Sequence, residues 1–363
     1  MSSIASVLPD ERFSSLDSNL AFLFQPIAEE LRLTRQLYRE KILASVERNY
    51  LQHLLYGETA SFIPEEFRVP IADRVAHHLL NSEGKWIRAA LVLLAADARG
   101  QRGLPIHQVA VAVELVHLAT LVHDDIIDQA PMRRGLPSIP GGWGNSVAVL
   151  IGDFLFSKAF SLLLASRSAP SQMLLTRATG QMCLGEIKQL CNSHQSRTGE
   201  AEYMETIENK TASLMAAAAA SGAFLAGLDE PLTEYFHGYG YALGMAFQIT
   251  DDVLDYTSST SILGKEQGGD IRNGKVTLPM IHLLQTDESV RELLDQEISL
   301  EEKTRLLILK MNENGSFDYT YTVARRYGEM AKENLRAAER VIGPSGSMNS
   351  LYRLVDFILA RDC

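Results

Sequence analysis

Residues 107–128 read HQVAVAVELVHLATLVHDDIID, and residues 242–255 read ALGMAFQITDDVLD. Each is a nearly all-apolar run that closes on Asp-Asp-x-x-Asp. A helix apolar all round belongs in the middle of a bundle, so carboxylates at its end need a reason to be there. Residues four apart on a helix share a face: Asp124 and Asp128 point together, as do Asp251 and Asp255. Like charges on one face repel, and the arrangement is costly unless a cation sits between them. Magnesium suits that place, a hard ion that takes a few carboxylates together with phosphate oxygens. The plainer reading of one such cluster is a solvated helix end. Chance supplies only about 0.1 match per chain of this length at ordinary composition, and this chain has two.

Outward from these runs the pattern stays helical. Residues 1–16 read as an irregular N-terminal segment, and 17–363 as a single all-helical domain. An amphipathic helix is expected up to Leu55, and GETASFIPEEFRVP (57–70), with its two prolines, reads as a connection. A helix to about Leu80 is interrupted at NSEGK and followed by WIRAALVLLAADA (86–98). The basic, proline-containing APMRRGLPSIPGG (130–142) breaks the helical pattern. Helices follow over roughly 144–166, 170–192, 202–227 and 232–256. A charged, Gly-rich loop (258–275) leads to TLPMIHLLQ and a more polar helical C-terminal part. Thr211–Leu228 is dominated by Ala and reads as a tightly packed internal helix. It is too weakly hydrophobic for a membrane span, and none is expected.

A formal net charge of −11 argues against a nucleic-acid surface. It does not oppose a polyanionic ligand, because metal ions and locally gathered Lys and Arg can bridge to one. Three cysteines, Cys183, Cys191 and Cys363, are too few and too irregular for a disulfide framework or a zinc site. That usage, and a start (MSSIASVLPDERFSSLDSNL) with early acids and no basic-then-apolar leader, gives a cytoplasmic expectation. Cys183 and Cys191 are expected in the core.

With its motifs assembled, the sequence resembles the trans-isoprenyl diphosphate synthase family, from about Gly84 to Lys275 and weakly beyond. The resemblance rests on HDDIID followed by MRRG, on FQITDDVLD followed by LGKEQGGDIRNGKVTLP, and on GNSVAVLIGDFLFSKAF and ENKTASL between them in order. It implies a helical bundle around a central cavity, the isoprenoid synthase fold. It implies condensation of an allylic prenyl diphosphate with isopentenyl diphosphate in trans, two or three Mg2+ ions on the allylic diphosphate, and a homodimer. Asp124, Asp128 and Asp251, with Asp125 and Asp255 nearby, would hold the metal. Arg133, Lys210 and Lys265 would contact the allylic diphosphate, with Lys275 close by. Lys85, Arg88, His117 and Arg134 would bind isopentenyl diphosphate, while Thr211 and Gln248 would lie beside the reacting carbons. Without the resemblance, His117 on its apolar helix would read as a core histidine.

One departure stands out. Where the family usually has two glycines, Lys, Arg, any residue, Arg and Pro, this chain has Glu83-Gly84-Lys85-Trp86-Ile87-Arg88-Ala89. Lys85 and Arg88 persist, but Trp86 replaces an arginine and Glu83 a glycine.

Above Asp124, Ala119, Thr120 and the deeper Val116 are expected to line the tunnel for the growing chain. Short-chain makers of the family commonly place an aromatic ring here, and none is present. The helix from His107 to Asp124 spans roughly 25 Å. At about 4–5 Å per isoprene unit that accommodates about five or six additions, a long product of about C30–C50. Phe154, Phe156 or Phe160 are candidates for the floor. The competing readings are a short-chain synthase making geranylgeranyl diphosphate, a terpene cyclase, and a non-catalytic subunit. A cyclase needs no second diphosphate site, and intact acids in both motifs oppose a non-catalytic role.

Overall fold

The computed structural model describes residues 18–43, 70–81, 84–192, 199–257 and 267–361. The segment 1–16, residues 44–55 of the first expected helix, the 57–70 connection as far as Val69, Glu83 and Lys265 lie outside the described residues.

The chain begins with α1 (Ser18–Leu23), a 3-10 turn and α2 (Ala28–Leu43), then α3 (Pro70–Asn81) and α4 (Ile87–Asp97). The first acid-tipped run is α5 (Leu104–Ile127), opened by Gly103 and Pro105 and closed by Asp128. The basic segment that breaks the helical pattern is a small antiparallel hairpin, β1 (Met132–Arg133) and β2 (Leu136–Pro137), followed by α6 (Ile139–Trp143). Then come α7 (Asn145–Ala165), α8 (Ala169–Asn192) and α9 (Glu200–Ile207). A π-helical turn, Glu208–Ala212, joins α9 to α10 (Ser213–Leu225), so the helix expected over 202–227 is one path with a widened turn. The second acid-tipped run is α11 (Glu230–Thr257). After α12 (Gly269–Arg272) the C-terminal part is α13 (Leu278–Thr286), α14 (Ser289–Asp295), α15 (Leu300–Glu313), α16 (Ser316–Ile342) and α17 (Gly346–Leu359).

The bundle is organised around α10. Its residues Ser213–Ala223 are all buried, as the Ala-rich composition requires. α10 packs on α4 and α11, α11 runs along α16, and α5 runs along α7. Small residues set these spacings: a Cβ on Gly244 of α11 would come within 2.6 Å of the Ala212 Cα. Any larger residue there would push α11 off the π-helical turn. Large apolar side chains supply the bulk of the stabilisation. Leu91, Leu94, Leu115 and Tyr239 are essentially inaccessible, and each Leu contributes about 1.5–3 kcal/mol on burial.

Among the described residues two helices are long and apolar enough to cross a membrane by length and composition, α5 (mean hydropathy 1.5) and α7 (mean hydropathy 1.9), and Thr211–Leu228 is not one of them. α5 is a core helix bearing Glu114, His117 and the aspartates. α7 is covered on one side only and keeps Leu150 and Leu164 each 67% exposed. Cys183 and Cys191 are also exposed, which corrects the expectation that they are core. Both lie on α8, whose sequence has too few apolar positions to bury every face.

Candidate active site

The C-terminal ends of α5 and α11 open on one cavity of about 1760 Å³, with Asp124, Asp125 and Asp128 on one wall and Asp251 and Asp252 on another. Helix C-termini carry the negative end of the backbone dipole. Carboxylates there are doubly disfavoured in the absence of a cation. The effect is visible at Asp124, where burial raises the pKa to about 6, Glu186 and Asp128 add to the rise, and Lys210 and Arg133 oppose it. Asp252 is raised by burial too, against the pull of its hydrogen bonds from Tyr203 and Gln248.

The aspartates do different things. Asp125 is buried, and its two carboxylate oxygens accept from Arg133 Nε at 2.8 and 2.9 Å. Asp128 pairs with Lys275 at 3.0 Å. Burial alone would depress the Lys275 ammonium, but Asp128, Asp270 and Glu186 together lift it. Asp251 meets Arg361 at 3.3 Å, and the Arg361 guanidinium lies 4.9 Å from the Phe247 ring centre. Asp255, four residues on from Asp251, does not line the cavity: its Oδ2 accepts the Asp270 N–H at 2.9 Å, and its carbonyl accepts the Gly268 N–H. It anchors the start of α12 and brings Asp270 to the cavity wall. Asp270 is pushed well up by burial and by Asp252 and Asp255.

Across the acids, the π-helical turn presents Lys210 and Thr211. Such turns widen the backbone locally and recur at functional sites. Lys210 pairs with Glu186 and donates to Gln189 Oε1 at 3.0 Å. Thr211 Oγ1 donates to Gln248 Oε1 at 2.7 Å, and Gln248 Nε2 donates to Asp252 Oδ1 at 2.8 Å. Tyr203 completes the chain by donating to Asp252 Oδ2 at 2.7 Å. The amide of Gln248 is therefore fixed from both sides.

Another part of the cavity wall is basic, with Lys85, Arg88 and Arg134. Arg134 sits in the hairpin turn with φ +50° and is followed by Gly135 at φ +77°, a two-residue turn with both centres left-handed. His78 clamps the hairpin through Pro137 O at 2.9 Å, and Ser138 does so through its N–H to Pro131 O at 3.0 Å. The Arg134 guanidinium then lies over Gly84, where a Cβ would meet Nη1 at 3.1 Å. The glycine retained from the motif is thus the one that lets hairpin and loop meet. Glu114 of α5 sits beneath, accepting the Ala89 N–H at 2.9 Å. Burial raises Glu114, and the fields of Arg88, Arg134 and Arg35 oppose that rise. His117, one turn further along, is held well below its ordinary value by burial and by Arg88, Arg134 and Arg133. It is a neutral imidazole.

The tunnel wall differs from expectation. On α5 the stripe His117, Thr120, Leu121 and Asp124 faces the cavity. Ala119 and Val116, about 140° and about 80° around the helix from Asp124, have no accessible surface and belong to the main core. Only Thr120 of the three lines the cavity, with Phe156 of α7 and Met182 of α8. Phe156 stacks on Phe160 with ring centres 6.4 Å apart. Phe160 is 37% exposed, and Phe154 carries Lys158 over its ring. Sequence reading also passed over Glu114, Glu186, Gln189, Asp270, Arg35 and Arg361. Glu114 had a signal, since it lies three residues before His117 on the same face. The others are joined to the site only by tertiary packing.

Among the described residues no three His, Cys, Asp or Glu converge closely enough to hold a metal on their own. The donor set still fits a dication of the magnesium kind. It offers carboxylates from two helix ends, one of them driven towards protonation by burial, with coordination left for ligand oxygens.

Comparison with known proteins agrees with this geometry. Residues 69–310 match the model of the polyprenyl synthetase family. The chain is 35% identical over 294 residues to geranylgeranyl diphosphate synthase of Methanosarcina mazei, covering 80% of this chain and 89% of that one. It is 35% identical over 268 residues to octaprenyl diphosphate synthase of Haemophilus influenzae, covering 72% and 81%. Among solved structures, a polyprenyl synthase from Caulobacter crescentus complexed with calcium and isoprenyl diphosphate superimposes with a TM-score of 0.81 at 31% identity. That match covers 94% of this chain and 98% of that one.

Proposed function

The chain belongs to the polyprenyl synthetase family and is a trans-prenyltransferase, and from that premise we propose that it condenses isopentenyl diphosphate onto an allylic diphosphate to give an all-trans product of about C30–C50. The observation that carries the reading is one cavity lined together by the acids of two helix ends, by the basic Lys85, Arg88 and Arg134, and by apolar side chains. The relatives' printed names span short and long products. The long product is argued from the wall itself: Thr120, one turn above Asp124, lines the cavity without a ring, and the rings that line it nearby are those of His123 and Phe156.

Magnesium, held by Asp124, Asp128 and Asp251 when bound, would neutralise the allylic diphosphate and make it a leaving group. The chain's own residues do the rest. Arg133, oriented by Asp125, with Lys210 and Lys275 faces the same diphosphate and stabilises charge as the carbon–oxygen bond breaks. Thr211 and Gln248 turn oxygen dipoles towards the reacting carbons, fixed in place by Asp252 and Tyr203. Lys85, Arg88 and Arg134 hold isopentenyl diphosphate so that its double bond attacks the allylic carbon. Neutral His117 donates to its diphosphate. The departing diphosphate takes the proton lost from the new chain. The apolar wall keeps water from the cation.

We also infer a homodimer. Leu150 and Leu164 of α7, with Met173 and Leu184 of α8, are apolar side chains 59–71% exposed in the single chain, the kind of surface a partner covers.

The test is incubation of the purified chain with labelled isopentenyl diphosphate, farnesyl diphosphate and magnesium, followed by sizing of the products. Products of C30 or longer are expected. A product stopping at C20 overturns the length, and a cyclised hydrocarbon overturns the reaction. A monomer in sedimentation would remove the dimer without touching either.

A further inference from the structure

Trp86, the residue that departs from the motif, is buried and left-handed (φ +58°, ψ +24°) at the start of α4. It presents no charge to the cavity. Instead, its ring is gripped by α2: Tyr38 packs edge-on at 4.8 Å between centroids, and the Arg35 guanidinium lies 5.1 Å from the ring centre. Arg35 and Tyr38 are three apart and share a face of α2. An indole is the best aromatic partner for a guanidinium, and the contact holds the cation without neutralising it.

Arg35 lines the same cavity as Arg88, Arg134 and Lys85, and its field reaches Glu114 together with those of Arg88 and Arg134. Arg35, Arg88 and Arg134 thus act together on the one carboxylate of Glu114. Arg88 Nε is buried with no acceptor among the described residues, which marks where an anion's oxygens belong.

We propose that Arg35 is a ligand of the diphosphate of isopentenyl diphosphate, and that Trp86 is the platform that delivers it. The guanidinium missing from the loop is supplied from α2, across the cavity lip. This rests on the assignment of the Lys85–Arg88–Arg134 end to isopentenyl diphosphate, so the experiment tests both separately.

Four variants are compared for the KM of each substrate and for equilibrium binding of labelled isopentenyl diphosphate: Arg35→Leu, Arg35→Lys, Arg35→Leu with Trp86→Arg, and Arg88→Gln. Arg35→Leu, which keeps apolar cover over Trp86, is expected to raise the isopentenyl diphosphate KM and Kd about 10- to 100-fold. The allylic KM should hardly move. Arg35→Lys should fall between, since it keeps charge but loses the planar fork. The double variant should recover part of the loss by returning an arginine to the loop. If Arg88→Gln weakens isopentenyl diphosphate and Arg35→Leu does not, the Arg35 assignment is wrong and the site stands. If Arg88→Gln has no effect, the site assignment fails first. Thermal unfolding by circular dichroism separates lost folding from lost binding, and if Arg35→Leu does not fold, Arg35→Lys carries the decision.

Discussion

At the acidic end of the cavity, Asp124, Asp128, Asp251 and Asp252 stand at two helix C-termini, and burial disfavours the charged form of Asp124 and Asp252. At the basic end, Arg35, Arg88 and Arg134 converge on Glu114, a counter-ion built into the core. One end is therefore incomplete without ions from solution. The other is already partly balanced and asks only for an anion. The acidic end should govern the chemical step and the basic end the affinity for the second substrate.

The largest effect should come from the acids. Asp124→Asn or Asp251→Asn is expected to lower kcat by about a thousandfold, with little change in the binding of isopentenyl diphosphate, as read by single-turnover assay and equilibrium binding. Equal losses in both would mean that the two ends are not separable. Arg88→Gln is the mirror experiment. Its isopentenyl diphosphate KM should rise by about 100-fold or less while kcat at saturation stays within a few fold. Steady-state kinetics with each substrate varied in turn would expose the opposite split.

A smaller effect follows from pH. Burial holds Asp124 near a pKa of about 6, and the carboxylate is the form that binds a cation. Protonation opposes binding below that value, so the magnesium needed for half-maximal activity should fall as pH rises from 5 to 7. The slope should approach about tenfold per unit below pH 6 and flatten above 7. A requirement independent of pH across that range would place the functional ligand elsewhere. The gentlest change is Thr120→Phe, which touches neither charged end. Turnover should stay near the parent's while the product shortens by several isoprene units, read by chromatography. Unchanged length would remove the α5 wall as the limit.

The acidic end was legible because helix periodicity alone brings Asp124 beside Asp128 and ties both to apolar runs. Arg133 and Arg134 followed from sitting shortly after the triad. The same periodicity, carried one step further, separates Thr120 from Ala119 and Val116, which face the core. Asp255 shares a face with Asp251, and one of its oxygens accepts an N–H from the start of α12. Glu186 and Gln189, which hold Lys210, lie some twenty residues from it in sequence, and only the packing of α8 on the π-helical turn joins them. Arg35 had no local signal at all, because its meaning depends on Trp86 being turned inward. The exposed cysteines show the limit of composition: an uncharged residue on a two-faced helix goes where the helix turns it.

Arg361 reaches Asp251 from just past the end of α17 and rests on Phe247. That guanidinium occupies an oxygen of a carboxylate assigned to the ion, so seating a cation there means releasing an arginine first.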